Sequence, residues 1–140
     1  MPLIALGVNH QTAPVEVREK VAVGEAQMAE TLQALQQLDG VEEAALVSTC
    51  NRTEIYAQVD EGRAPAVVEW LAKRNGLSTG ALSSYVYAHE GEAAVRHLFR
   101  VATGLDSLVL GEPQILGQVK EAWQQARGAG SLRTPLDRLF

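Results

Sequence analysis

The single cysteine of this chain lies in Ser48-Thr49-Cys50-Asn51-Arg52-Thr53-Glu54, a setting that suits chemistry. A thiol has a pKa of about 8.5 and only the thiolate is a nucleophile, so a neighbouring cation such as Arg52 raises the reactive fraction at neutral pH. Cys50 falls at a bend between two predicted strands instead of inside an apolar run. Backbone N–H groups at such a bend can face a developing oxyanion. The competing reading is a bend that merely tolerates a small residue, and the residue types alone leave both open.

His97 is the second candidate. On a helical wheel for residues 92–103, Val95, Leu98, Phe99 and Ala102 form one face, and His97 lies nearly opposite its centre. The spacing therefore expects His97 outside the main core, either in solvent or turned towards a second surface. His10 and His89 flank predicted strands and read as polar strand ends. No two histidines have the helical spacing that zinc favours. One cysteine excludes an internal disulfide and a cysteine-rich metal site.

The third candidate is the run Gly104-Leu105-Asp106-Ser107-Leu108-Val109-Leu110-Gly111-Glu112-Pro113-Gln114, between two predicted helices. Its glycines permit close backbone approach to a ligand. Ser107, Glu112 and Gln114 offer donors and acceptors suited to the ammonium and carboxylate groups of an amino acid. An ordinary connection with a buried Leu-Val-Leu plug fits the same residues. The glycines form neither a dinucleotide fingerprint nor a P-loop, and the chain has no visible cofactor motif.

Around these residues the pattern alternates strands and helices. Residues 3–8 are a short apolar run that reads as a buried strand, and residues 15–23 are ambiguous between strand and helix. Met28, Leu32, Leu35 and Leu38 share one helical face, which predicts a helix over 25–38 with Gly24 as N-cap and Asp39-Gly40 as its stop. Strands are predicted at 41–48 and 53–59, joined by a tight bend, then a helix at 64–74 and a short strand at 85–88. This order predicts an α+β domain, a ferredoxin-like βαββαβ antiparallel sheet. Two additional C-terminal helices follow, at 92–103 and 113–127, with Pro113 at a first helical position.

At 140 residues the chain is one domain with room for a real core. No apolar run approaches the roughly 20 residues that span a bilayer. Residues 1–8 lack the flanks of a secretory signal, so a cytoplasmic location is expected. The formal charge of −5 disfavours a protein that grips nucleic acid over its whole surface. A local basic patch is still compatible, because Arg96, Arg100, Lys120, Arg127, Arg133 and Arg138 concentrate in the last third. Leu136, Leu139 and Phe140 have no later turns to pack against, so residues 132–140 are expected to open a linker helix of a longer protein.

Three stretches together resemble glutamyl-tRNA reductase: Gly7-Val8-Asn9-His10-Gln11-Thr12-Ala13-Pro14, residues 48–56, and residues 97–120. They follow the family's order and spacing, and Thr49-Cys50-Asn51-Arg52-Thr53-Glu54 and residues 104–118 are its most specific motifs. The resemblance implies that residues 1–140 are the N-terminal catalytic domain, with Cys50 attacking the ester of glutamyl-tRNA to form a thioester. It implies that His97 polarises the carbonyl or shuttles a proton, and that Thr49, Asn51, Arg52, Ser107, Glu112, Pro113, Gln114 and Gln118 line the substrate pocket. The Arg52 fork suits the glutamate side-chain carboxylate. The whole enzyme would reduce the thioester with NADPH to glutamate-1-semialdehyde, at the start of one route to tetrapyrroles. The NADPH-binding and dimerisation domains would lie outside these residues, so the fragment would acylate and hydrolyse but not reduce. A homodimer, a contact with the next enzyme, glutamate-1-semialdehyde aminomutase, and neither membrane nor metal are implied as well. The rivals are a non-catalytic ferredoxin-like binding module and a thiol redox sensor.

Overall fold

The computed structural model describes residues 2–49 and 51–102. Cys50, the run from Gly104 onwards with its site residues, the second C-terminal helix and residues 132–140 lie outside the described residues. Within them the chain is a mixed α+β fold, with one four-stranded sheet and five α-helices.

The strands are β1 (Leu3–Asn9), β2 (Val41–Ser48), β3 (Arg52–Val59) and β4 (Tyr87–Glu90). They lie in the order β2-β3-β1-β4, every neighbouring pair antiparallel. The helices are α1 (Val15–Val21), α2 (Met28–Gln36), α3 (Ala64–Arg74), α4 (Thr79–Ser83) and α5 (Glu92–Ala102). The ambiguous segment after the first strand is thus helical.

Register divides the sheet residues into two faces, because successive side chains alternate. On one face lie Ile4, Leu6 and Val8 of β1, Leu46 of β2, and Ile55 and Ala57 of β3, all essentially buried. They join Leu32 and Leu35 of α2 and Val67 and Leu71 of α3 in a single hydrophobic cluster. Arg74 Nη2 donates to Thr31 Oγ1 at 3.2 Å and links the two helices. The opposite face carries Gly7 and Asn9 of β1, Arg52, Glu54 and Tyr56 of β3, and Tyr87 and His89 of β4. Helix α5 lies against β1 and β4. Gly91, with a φ of 58°, turns the chain from β4 into α5, and its N–H donates to Leu3 O at 2.8 Å.

Several boundaries differ from the sequence reading. Gly24 does not cap one long helix: its carbonyl accepts from Gln27 N across the 3₁₀ turn Glu25–Gln27, and α2 starts at Met28. The last strand starts two residues late, at Tyr87 instead of Tyr85. Tyr85 and Val86 are good strand formers, but Tyr85 N donates to Leu82 O at the end of α4, which the sequence reading lacked. Those two residues therefore form the connection, and pairing begins where Tyr87 meets Gly7.

Candidate active site

Arg52, Glu54 and Tyr56 occupy alternate positions of β3, so all three side chains leave the same face of the sheet. Ordinarily such a row would face water. Here Arg52 is 1% exposed, and Glu54 and Tyr56 are fully buried. Room for Glu54 comes from its partner across the ladder, Gly7. A Cβ at Gly7 would press into the Thr53 carbonyl oxygen and sit 2.9 Å from Glu54 Cα.

Glu54 is the hub. Tyr56 Oη donates to its Oε1 at 2.8 Å, and Arg52 Nη1 donates to its Oε2 at 3.2 Å. The Tyr87 hydroxyl also donates to Oε2, and His97 Nε2 pairs with the same oxygen. Burial alone raises a carboxyl pKa. The hydrogen bond and charge of His97, then the charge of Arg52 and the Tyr87 hydroxyl, outweigh it and hold Glu54 below its ordinary value of 4.5. The same environment acts oppositely on Tyr56: burial and the adjacent carboxylate push its phenol well above its ordinary 10.0, so it stays a donor. An ionised Glu54 can only accept, which assigns the proton to His97 Nε2 and leaves Nδ1 to act as base in the neutral ring.

His97 reaches this carboxylate from α5, where it is 7% exposed. Of the two positions the wheel left for His97, solvent is overturned and the second surface is met, while the helix face expected to be buried is rotated. The buried stripe is Ala94, His97, Leu98 and Val101, while Phe99 is 56% exposed. The reason is physical: α5 covers a polar sheet face, so its inward side is not its most hydrophobic one. His89, read as a polar strand end, stacks on His97 with ring centroids 4.6 Å apart. Tyr87 packs beside both, 5.2 Å from the His97 ring and 5.8 Å from that of His89. All three rings line a depression of about 360 Å³ at the protein surface.

The bend before β3 is closed by Thr49, whose N–H donates to Arg52 O at 2.7 Å. Thr49 Oγ1 accepts from the N–H groups of Asn51 and Arg52, at 3.1 and 3.2 Å. The notion that bend N–H groups face an oxyanion is thus corrected for Asn51 and Arg52, whose N–H groups bind the Thr49 hydroxyl. Of the sequence-derived site residues, the structure gathers Arg52 and His97 on one carboxylate and places Thr49 and Asn51 in the adjacent turn. Cys50, Ser107, Glu112, Pro113, Gln114 and Gln118 lie outside the described residues. Among the described residues no group of three His, Cys, Asp or Glu side chains is placed to hold a metal ion. Sequence reasoning missed Glu54, Tyr56, Tyr87 and His89 as site members. The available signal was the Arg-x-Glu-x-Tyr alternation in β3, opposite the small residue Gly7.

The fold and this cluster define a small α+β domain with a buried histidine–carboxylate pair near one end of its sheet. Comparison with known proteins gives that domain a family. The model of the glutamyl-tRNAGlu reductase N-terminal domain family matches residues 6–140, and the chain belongs to this family. It is 56% identical over its whole length to a glutamyl-tRNA reductase of Xanthomonas oryzae pv. oryzae, covering 31% of that protein. It is 51% identical to one from Pseudoalteromonas translucida, again over its whole length and covering 34% of that protein. The solved structure of glutamyl-tRNA reductase from Methanopyrus kandleri matches with a TM-score of 0.76 at 31% identity, over 98% of this chain and 31% of that one. The chain thus spans about a third of the length of the relatives it matches. No helix among the described residues is long and apolar enough to cross a membrane.

Proposed function

We propose that this chain is the part of a glutamyl-tRNA reductase that takes glutamate from its tRNA, through a thioester on Cys50. The observation that supports this best is the pairing of His97 with the ionised, fully buried Glu54, beside the turn that precedes β3. The Cys50 thiolate attacks the ester carbonyl. A C–S bond forms, the C–O bond to the terminal ribose breaks, and the ribose oxygen leaves with a proton. His97 Nδ1 takes the thiol proton and passes it to that oxygen, while Glu54 holds Nε2–H and stabilises the imidazolium. This pairing favours proton transfer over carbonyl polarisation as the role of His97.

Thr49 sets the turn, and Asn51, Ser107, Glu112, Pro113, Gln114 and Gln118 complete the pocket for the glutamyl group. Arg52 contributes its charge to the glutamate side-chain carboxylate while one arm remains on Glu54. We read the sheet as ferredoxin-like, which the order β2-β3-β1-β4 with all pairs antiparallel supports.

Reduction of the thioester to glutamate-1-semialdehyde with NADPH belongs to the whole enzyme, in the tetrapyrrole route and in the cytoplasm. These residues do not fit the cofactor: the turn after β1, Asn9-His10-Gln11-Thr12, has no glycine where a pyrophosphate would approach. No hydride step is assigned to them. Homodimerisation and contact with the aminomutase are likewise properties of the whole enzyme in this reading.

The test is intact-protein mass after mixing the chain with glutamyl-tRNA, beside a Cys50→Ser control. A glutamyl adduct on the unaltered chain alone is the expected result. Adducts on both proteins, or on neither after rapid quenching even in the full-length enzyme, would overturn the mechanism.

A further inference from the structure

The depression over His97 has a charge pattern opposite in sign to the net charge of the protein. The protein carries a formal charge of −5. Yet Arg96 and Arg100 of α5 and the rings of His89 and His97 line this depression, together with Asn9 and Gln11 from the end of β1, and among the described residues none that lines it is acidic. Arg96 and Arg100 are four residues apart, so both project from one side of the helix. The nearest carboxylate in the cluster, Glu54, is fully buried and already binds four donor side chains. Glu92 comes no closer than 3.8 Å to Arg96, with both side chains largely exposed, a contact that water screens.

Position narrows the ligand. Asn9 pairs with Arg52, so the depression opens at the same end of the sheet as the turn between Thr49 and Arg52. Its volume of about 360 Å³ exceeds what a lone carboxylate needs and suits a nucleotide. Guanidinium forks match phosphate oxygens in pairs, and short amides match sugar hydroxyls.

We propose that this depression is a phosphate-binding subsite for the 3′-terminal nucleotides of the tRNA. Arg96 and Arg100 hold the phosphate oxygens, and Asn9 and Gln11 face the sugars. The proposal rests on the reading that glutamyl-tRNA is the substrate, and it names where the leaving group is held during attack. An acidic domain repels a polyanion at long range. A small cationic recess beside the reacting ester restores attraction only where the 3′ end must be placed.

The experiment is fluorescence anisotropy of a labelled cytidine-cytidine-adenosine trinucleotide with the chain, across a salt series. Arg96→Gln and Arg100→Gln should each weaken binding about tenfold and reduce the slope of log affinity against log salt by about one. Lys73→Gln, on α3, should leave binding within about twofold. Wild-type binding no weaker after either arginine substitution, no binding at all, or displacement by free glutamate as effective as by unlabelled trinucleotide would each overturn the subsite. Cysteine acylation provides the second readout. Trinucleotide binding through the two arginines without any Cys50 adduct, in this chain and in the full-length enzyme, would uphold the subsite and sink the catalytic reading. Normal acylation by glutamyl-tRNA in the Arg96→Gln/Arg100→Gln double variant would do the reverse.

Discussion

The two faces of this sheet use the same strands in opposite ways. Towards α2 and α3, β1 presents Ile4, Leu6 and Val8, and β3 presents Ile55 and Ala57, a continuous apolar layer. Towards α5, β1 presents Ala5, Gly7 and Asn9, and β3 presents Arg52, Glu54 and Tyr56. Both layers are buried. The apolar layer gains from each Å² removed from water, whereas a polar layer is stable only if each group finds a partner. Glu54 meets that condition by accepting from two tyrosines, an arginine and a histidine. The small residues of β1 are the counterpart of the large polar ones of β3, since the ladder leaves no space for both. One face holds the fold together, and the other uses the stability so gained to keep a charged cluster out of water.

Rates should separate the faces most. His97→Ala should slow acylation of Cys50 by roughly 10²–10⁴-fold, as loss of a general acid–base does. Glu54→Gln should fall in the same direction, because a neutral amide does not stabilise an imidazolium. Ile55→Val, one position along the same strand but on the other face, should cost about 0.5–1.5 kcal/mol of stability and leave the rate of the folded protein within about twofold. Single-turnover acylation and denaturant melts read both quantities. A change below threefold in His97→Ala would remove it from the mechanism.

Stability gives the next largest contrast. Glu54→Ala leaves the Arg52 guanidinium, 1% exposed, without its carboxylate, and loss of one partner of a buried pair costs about 3–5 kcal/mol. Leu46→Ala on the apolar face should cost about 2–5 kcal/mol for a different reason, a cavity. The two are told apart by Arg52→Met added to each. It should recover part of the loss in the Glu54 variant and none in the Leu46 variant, as equilibrium melts would show.

Gly7→Ala tests the division of space directly. The added methyl would meet backbone atoms of Thr53 and Glu54, which cannot rotate away, so a loss of about 1–3 kcal/mol is expected. Gly24→Ala, with nothing within 4 Å of its would-be Cβ, should stay within about 0.5 kcal/mol. Equal melting curves for the two would show that β1 and β3 can separate on the polar face without loss.

The apolar face was legible in the sequence and the polar one only in part. A short apolar run marked β1, residue types marked β2 and β3, and apolar spacings of three and four marked α2 and α3, because each of these elements turns hydrophobic residues into the core. The same reasoning rotated α5 towards Phe99, since it assumes that a covered face is apolar, and His97 violates that assumption. Arg52 and His97 stood out by residue type, but Glu54 was passed over. A carboxylate in a strand is ordinarily a solvent contact, and the four donors that make it otherwise come from residues 52, 56, 87 and 97. Such long-range convergence leaves no local pattern. The shifted start of β4 has a similar cause, because pairing with Gly7 and not strand propensity decides where it begins.

The smallest effect expected is the acid limb of the stability curve, and it isolates the polar face. Glu54 has its folded pKa held below its ordinary value of 4.5, so the folded state keeps this carboxylate ionised at pH values where the unfolded chain has protonated it. The unfolded state then binds the extra proton. The stability this group contributes is therefore fully present above about pH 4.5 and is lost as pH falls through the lower folded pKa. Within that window one group changes the slope by at most about 1.4 kcal/mol per pH unit. Glu54→Gln removes the titrating group, so its melts between pH 6 and pH 3 should be flatter than those of the unaltered chain by up to that amount. Ile55→Val should shift the whole curve down without changing its slope. Parallel curves for Glu54→Gln and the unaltered chain would mean that folding leaves the Glu54 pKa unshifted, and a slope difference of the opposite sign would mean that Glu54 is protonated when folded, so that the assignment of the proton to His97 Nε2 falls.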